Sequence, residues 1–167
     1  MDLPIVLSII NSTVFLTGAI FAGVQLRHLY KQRERENALQ MVHSFQTPEF
    51  ITAVNIVFYL NEGLSKKEIE DQLGDKISSI LVMFGTFESL GILVYKHDMD
   101  IQLVEDFFSG IIILSGRKLK NYLTEIRDAS NRQTYYEWYQ WLYEQFEKRE
   151  SQTPAIPAFI AFRDWKE

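Results

Sequence analysis

The spacing of apolar and polar positions divides the chain into an uncharged N-terminal run and a longer stretch of helical periodicity. Between Asp2 and Arg27 no residue is charged. Leu3 to Leu26 gives about 24 uncharged positions, and a helix needs roughly 20 to cross the hydrocarbon of a bilayer. Ser8, Asn11, Ser12, Thr13, Thr17 and Gln25 interrupt the run. Such groups are tolerated in lipid only where helix geometry satisfies the backbone and a neighbour takes the side chain. A cleaved signal peptide would place basic residues ahead of the run, whereas here they all follow it. An interfacial helix would show a strongly charged face, and this one has none. The pattern predicts an uncleaved, membrane-spanning anchor.

Beyond Arg27 the periodicity is helical throughout. Nothing breaks the first helix before Thr47-Pro48, where Thr47 as cap, Pro48 at the first helical position and Glu49 behind it open a second helix. Ser65-Lys66-Lys67-Glu68 is a capping box for a short helix that stops near Gly74. A long helix from Asp75 to about Lys96 carries Ile77, Leu81, Phe84, Glu88, Gly91 and Tyr95 at seam spacing. Asp100 caps another long helix, with Val104, Phe107, Phe108, Ile111, Ser115, Leu119, Tyr122 and Ile126 as its core stripe. Ile111–Leu114 is apolar in every direction, which predicts a central position in a bundle. A last helix over 134–150 presents Tyr135, Trp138, Tyr139, Leu142 and Phe146, and a tail with Pro154 and Pro157, then Phe159, Phe162 and Trp165, packs as an irregular strap with a short helical turn. The expected fold is all-α: an N-terminal transmembrane helix followed by a small helical bundle. Its parts are residues 1–34 (anchor and juxtamembrane helix), 35–150 (cytoplasmic helical domain) and 151–167 (strap).

The anchor carries two further signals. Arg27, Lys31, Arg33 and Arg35 follow it, diluted by Glu34 and Glu36, and this Lys/Arg bias places the domain in the cytoplasm and the N-terminus outside. Gly18/Ala22 and Ala19/Gly23 are small-xxx-small pairs on a stripe that includes Asn11. One reading is helix–helix association with Asn11 as a cross-helix hydrogen bonder. The other is that small and polar residues are common in membrane helices.

The stretch Phe87-Glu88-Ser89-Leu90-Gly91-Ile92-Leu93-Val94, followed by Asp100-Ile101-Gln102-Leu103-Val104 and the helix through Arg117, resembles a bacterial, membrane-anchored family known only as a domain of unknown function. The resemblance spans nearly the whole chain and rests on apolar and acidic patterning. It implies the same architecture, a bacterial inner membrane as location, and no particular activity.

Composition narrows the chemistry. The chain has no cysteine, which removes disulfides, thiolate nucleophiles and zinc sites built on Cys. Its net charge of −5, from 17 basic and 22 acidic residues, gives no electrostatic footprint for a nucleic acid. His28, His43 and His97 stand in no Glu-x-x-His frame of the kind a di-iron bundle requires. No Gly-x-Ser-x-Gly and no phosphate loop is present, so no cofactor, metal or catalytic residue is assigned.

The sharpest polar feature is Glu88 on a core seam. An antiparallel return about Asp98 would bring it near Glu105, Ser109 and Gly110. A carboxylate so placed needs a partner or a raised pKa. One reading is a small-ligand or proton-sensing pocket of Glu88, Glu105 and Arg117; the plainer one is a structural ion pair or a carboxylate capping backbone. Arg117, Lys118, Lys120, Arg127 and Arg132 form the basic concentration beyond the anchor, either a docking site for anionic headgroups or an ordinary solvated face. Trp141 and Tyr143, off the main stripe of the last helix, are candidates for a partner surface. The sequence thus points to a non-enzymatic protein-interaction module that meets the lipid bilayer and a protein partner or its own copies. A membrane-tethered sensor is the alternative.

Overall fold

The computed structural model describes the backbone of residues 3–45, 47–152 and 156–166, and their side chains except at 3–12, 34, 35, 37, 38, 40–42 and 44. The described residues contain helices and no strand. They form an all-α fold of one very long helix and a helical bundle, in two compact units, residues 1–42 and 43–167.

The first unit holds most of α1, Leu3–Phe45, a helix that runs unbroken for 43 residues and so measures about 65 Å. Its described side chains from Thr13 to Arg33 are all exposed. Phe15 is 80% exposed, and Val14, Leu16, Ile20, Phe21, Val24 and Leu26 also lie open. The Thr17 hydroxyl donates to the Thr13 carbonyl at 2.8 Å, so this polar group is satisfied within the helix.

The second unit begins with Phe45 in its core and continues through α2 (Pro48–Tyr59), α3 (Lys66–Leu73), a 3-10 turn (Gly74–Lys76), α4 (Ile77–Tyr95), α5 (Ile101–Lys118), α6 (Lys120–Ser130), α7 (Glu137–Gln152) and the short α8 (Ala158–Ala161). The helix starts follow local chemistry. Thr47 Oγ1 accepts from Phe50 N, Ser65 and Glu68 make the reciprocal capping box, and Asp100 Oδ1 accepts from Gln102 N at 2.7 Å. Each cap satisfies N–H groups that have no partner within the helix.

Helix α4 is the centre, packed chiefly against α7 and α2. The stretch Lys66–Tyr95 is long and apolar enough, by length and composition, to cross a membrane, with mean hydropathy 1.9 over its most apolar window. Ile80, Met83, Phe84, Phe87, Leu90, Gly91 and Val94 are buried, so much of that apolarity serves the bundle core. It is not the helix on which the sequence places the span.

Several expectations change in the structure. The α4 seam is turned by about one residue: Leu81 and Tyr95 are 40% and 57% exposed. Both stripes have the 3–4 spacing, and the neighbours select between them. The helix after Asp100 is not continuous to Ile126, because Leu119 (φ −102°, ψ 10°) breaks it into α5 and α6. The break aims α6 at α3, where Asn121 Nδ2 donates to the Gly63 carbonyl and Glu125 accepts from Lys66 N. Phe107 faces outward rather than into the core. The tail holds the expected short helical turn, α8, but does not pack as a strap: Ile156, Phe159, Ile160, Phe162 and Trp165 are all at least half exposed.

Candidate functional site

The polar groups of the bundle concentrate where α7 begins. Helix α7 follows a loop in which Asn131 and Tyr136 have φ near +51°, a left-handed backbone uncommon for residues other than glycine. No serine, threonine or aspartate stands immediately before Glu137 to cap it. Glu88 does so from α4. Its Oε2 accepts from Tyr139 N at 2.8 Å, and the Trp138 N–H also bonds to the carboxylate. A negative group there meets unpaired donors and the positive end of the helix dipole. Burial raises the Glu88 carboxyl above its ordinary value. The N–H groups of Tyr139 and Trp138 pull it down in part, Glu137 raises it further and Arg127 lowers it.

Gly91, one turn beyond Glu88 on the same helix, makes this approach possible. A Cβ there would lie 2.8 Å from the Trp138 carbonyl carbon and 2.9 Å from its Cβ, inside any tolerable contact. Arg127 of α6 holds the other side of the loop. Its guanidinium donates to the carbonyls of Tyr135 at 2.8 Å and Tyr136 at 3.2 Å, and to Gln140 Oε1. Below this latch Tyr139 is fully buried, donating its hydroxyl to Ser115 Oγ at 2.7 Å, and Ser115 donates to the Ile112 carbonyl.

The expected partners of Glu88 are engaged elsewhere. Glu105 accepts from Arg149 Nε at 2.7 Å. Arg117 pairs with Glu147 at 3.1 Å and Glu150 at 3.3 Å. The intervening helix explains this: α7 packs on both α4 and α5, so α4 and α5 are not a simple antiparallel pair, and Glu88 meets the start of α7 instead. Lys118 donates to the carbonyls of Val57 and Phe58 at the end of α2. Of the basic concentration, Lys118 and Arg127 are thus committed within the bundle, whereas Arg117, Lys120 and Arg132 are exposed. Arg149, the partner Glu105 actually uses, carries no local signal that sequence spacing could have shown.

Trp141 belongs to an aromatic cluster in which Tyr95 is exposed and Trp138 and Trp141 are partly buried. Its ring lies 6.1 Å from Tyr95 and 6.2 Å from Trp138, both edge-on, and Tyr95 sits 4.6 Å from Trp138. Tyr143 covers Gly116, where a Cβ would come within 2.7 Å of its Cε2. Burial together with its bond to Glu147 pushes its phenol up to about 12, so the hydroxyl stays a donor to that carboxylate. On α1, Arg27, Lys31 and Arg33 are exposed, as are Gly18, Ala19, Ala22 and Gly23. The side chains of Asn11 and Arg35 lie outside the described residues. An open cleft of about 400 Å³ lies away from all of these, between α2 and the end of α3, lined by residues including Asn55, Tyr59, Gln72 and Lys76.

The family described as "Domain of unknown function (DUF4760)" matches residues 12–146. The chain belongs to this family. The match takes in much of α1 and all of α2 to α6, and it ends within α7 at Phe146, so the family pattern covers the Glu88 latch and the aromatic cluster alike. No curated protein and no solved structure matches the chain.

Proposed function

We propose that this is a single-pass protein of the bacterial inner membrane, N-terminus outside, whose cytoplasmic helical bundle acts as a non-enzymatic protein-interaction or scaffolding module. The observation that carries the reading is α1. An uncharged run from Leu3 to Leu26 continues into a helix whose described side chains are exposed on every side, Phe15, Ile20 and Phe21 among them. Water is a poor solvent for such a surface, and acyl chains are a good one. The basic residues from Arg27 onward support the orientation. Gly18/Ala22 and Ala19/Gly23 support self-association in the bilayer.

The bundle's polar groups support an interaction role over chemistry, since Glu88, Arg127, Lys118 and Asn121 are committed to helix ends and loop carbonyls. The cluster of Tyr95, Trp138 and Trp141 is the partner surface this reading favours, because partly exposed aromatics are typical of interface anchors. The sensor alternative asked for Glu88, Glu105 and Arg117 to converge, and their separate partners lend it nothing.

The test uses full-length protein in membranes. It should resist alkaline extraction, and a reporter fused after Glu167 should behave as cytoplasmic. Cross-linking should capture a defined partner or a second copy, and Tyr95→Ala with Trp141→Ala should lose that product while the protein stays folded. Release at alkaline pH, or a reporter active only outside the cytoplasm, rejects the anchor or its orientation.

A further inference from the structure

The C-terminal segment gathers large apolar side chains that the bundle leaves uncovered. Within about ten residues Ile156, Phe159, Ile160, Phe162 and Trp165 are exposed by 68%, 74%, 50%, 65% and 69%. A soluble domain rarely displays so many large apolar side chains together without something to cover them. No charge occurs from Ile156 to Phe162, and Trp165 lies among Arg163, Asp164, Lys166 and Glu167. Tryptophan and phenylalanine beside a cation suit the headgroup level of a bilayer, where the ring is buried and the charged end snorkels to water.

Where this segment leaves the bundle matters as much as its composition. The chain enters the second unit at Phe45, whose ring stacks on Phe108 of α5 at 3.5 Å. The tail departs after α7, whose last turns are fixed to the same part of α5: Arg149 bonds to Glu105, one turn before Phe108, and to Gln102. Arrival and departure therefore share the first half of α5. The part of α1 between Arg27 and Phe45 amounts to about 28 Å of helix. With α8 kept helical, the chain from the end of α7 to Trp165 can span at most about 36 Å, longer than that stretch of helix.

We infer that the segment Ile156–Trp165 is a second membrane contact, inserting its apolar side chains at the headgroup level of the leaflet beside the anchor. This rests on the anchor reading of α1. It would make the tether two-point and restrict the orientations in which the bundle meets a partner.

The experiment uses the full chain reconstituted in vesicles of phosphatidylcholine and phosphatidylglycerol, with brominated acyl chains as quencher. Trp138→Phe with Trp141→Phe leaves Trp165 as the sole tryptophan. Its emission should fall roughly twofold with bromines near the headgroups and less with bromines at the bilayer centre, as expected of an interfacial ring. Phe159→Glu with Ile160→Glu should abolish the quenching and leave thermal unfolding unchanged. Should the double Phe variant fold poorly, the quenched component that Trp165→Phe removes from the wild-type signal gives the same reading. A Phe15→Trp variant lacking the three native tryptophans reports on the anchor separately. If that variant is quenched and Trp165 is not, the second contact is wrong and the anchor stands; a blue-shifted, unquenched Trp165 would mean that the bundle or a second copy covers the tail. If neither is quenched, the anchor reading falls and this inference with it.

Discussion

Helix α4 and the first half of α1 are both rich in Ile, Leu, Val and Phe, yet they meet opposite surroundings. In α4 the apolar side chains are covered: Phe84 and Phe87 are completely buried, and α2 and α7 close over them. In α1 Phe15 and Phe21 have no protein neighbour to cover them and stand 80% and 63% exposed. Composition therefore does not separate a helix that the chain covers from one that it leaves exposed. What separates them is whether the rest of the chain supplies a complementary surface. Polar residues carry the same contrast: Glu88 on α4 has the start of α7 to cap, whereas the Thr17 hydroxyl on α1 turns back to its own helix.

The largest effect should come from exchanging the same residue type in the two settings. Phe87 is surrounded by Phe45, Phe50, Phe108 and Tyr139. Phe87→Ala should cost the bundle about 3–5 kcal/mol, the transfer loss plus the cavity. Phe21→Ala should leave bundle stability unchanged, since its side chain is 63% exposed. Chemical denaturation followed by tyrosine and tryptophan fluorescence compares them. A large loss from Phe21→Ala would show that α1 packs on the bundle and would end the contrast.

Next in size is Gly91→Ala. The added methyl meets the Trp138 backbone rather than the end of a flexible side chain, so α7 must move off α4. Overpacking of this kind costs about 1–3 kcal/mol. Gly18→Ala on α1, where a Cβ meets nothing within 4 Å, should be silent in the bundle and register only in cross-linking between copies. Wild-type unfolding of Gly91→Ala would mean that the Glu88 latch is looser than its geometry indicates.

These two positions also show how far the sequence could be read. Caps at Thr47, Ser65 and Asp100 were legible because donor and acceptor lie within three residues of each other, and helix type was legible because the periodicity is strong. The phase of α4 was not, since a helix apolar on most sides offers two stripes of equal spacing and only its neighbours choose. The break at Leu119 carries no glycine or proline. Glu88 stood out as a carboxylate in an apolar seam, but its partner is a backbone N–H 51 residues away. Backbone donors are the same at every residue, so no side-chain spacing could mark this one. The pairs Glu105–Arg149 and Arg117–Glu147 were hidden for a related reason: they cross between helices whose packing order spacing does not encode.

The third test is Glu88 itself. Glu88→Ala removes a cap, at about 0.5–2 kcal/mol, and Glu88→Gln, which keeps a side-chain oxygen as acceptor, should cost less. The pH dependence has a definite sign. Burial raises the folded pKa of this carboxyl above its ordinary value, so the folded state binds the proton more tightly than the unfolded chain. The contribution of Glu88 is therefore most favourable below the ordinary carboxylate pKa, declines as pH rises through the interval up to the raised folded value, and is level above it. The stability difference between wild type and Glu88→Gln, measured from pH 4 to 7 as an interval of about three units around carboxylate titration, should shrink as pH rises. A difference that grows with pH would mean that the N–H bonds outweigh burial and that the folded pKa is depressed.

The smallest effect, that of Leu81→Ala set beside a buried neighbour, tests which face of α4 is inside. Ile80 and Leu81 are adjacent, equally apolar, and lie on the two competing stripes; the structure buries Ile80 completely and leaves Leu81 40% exposed. Ile80→Ala should cost about 2–5 kcal/mol. Leu81→Ala loses only the covered part of a side chain that opens no internal cavity, and should cost less than about 1 kcal/mol. Because the residues are neighbours on one helix, helix propensity and unfolded-state effects nearly cancel in the comparison, and the difference isolates burial. Equal losses would place both stripes in contact with protein. In that case the exposed side of α4, with Val82 and Gly85 beside Leu81, would be covered in the assembled molecule and would no longer contrast with α1.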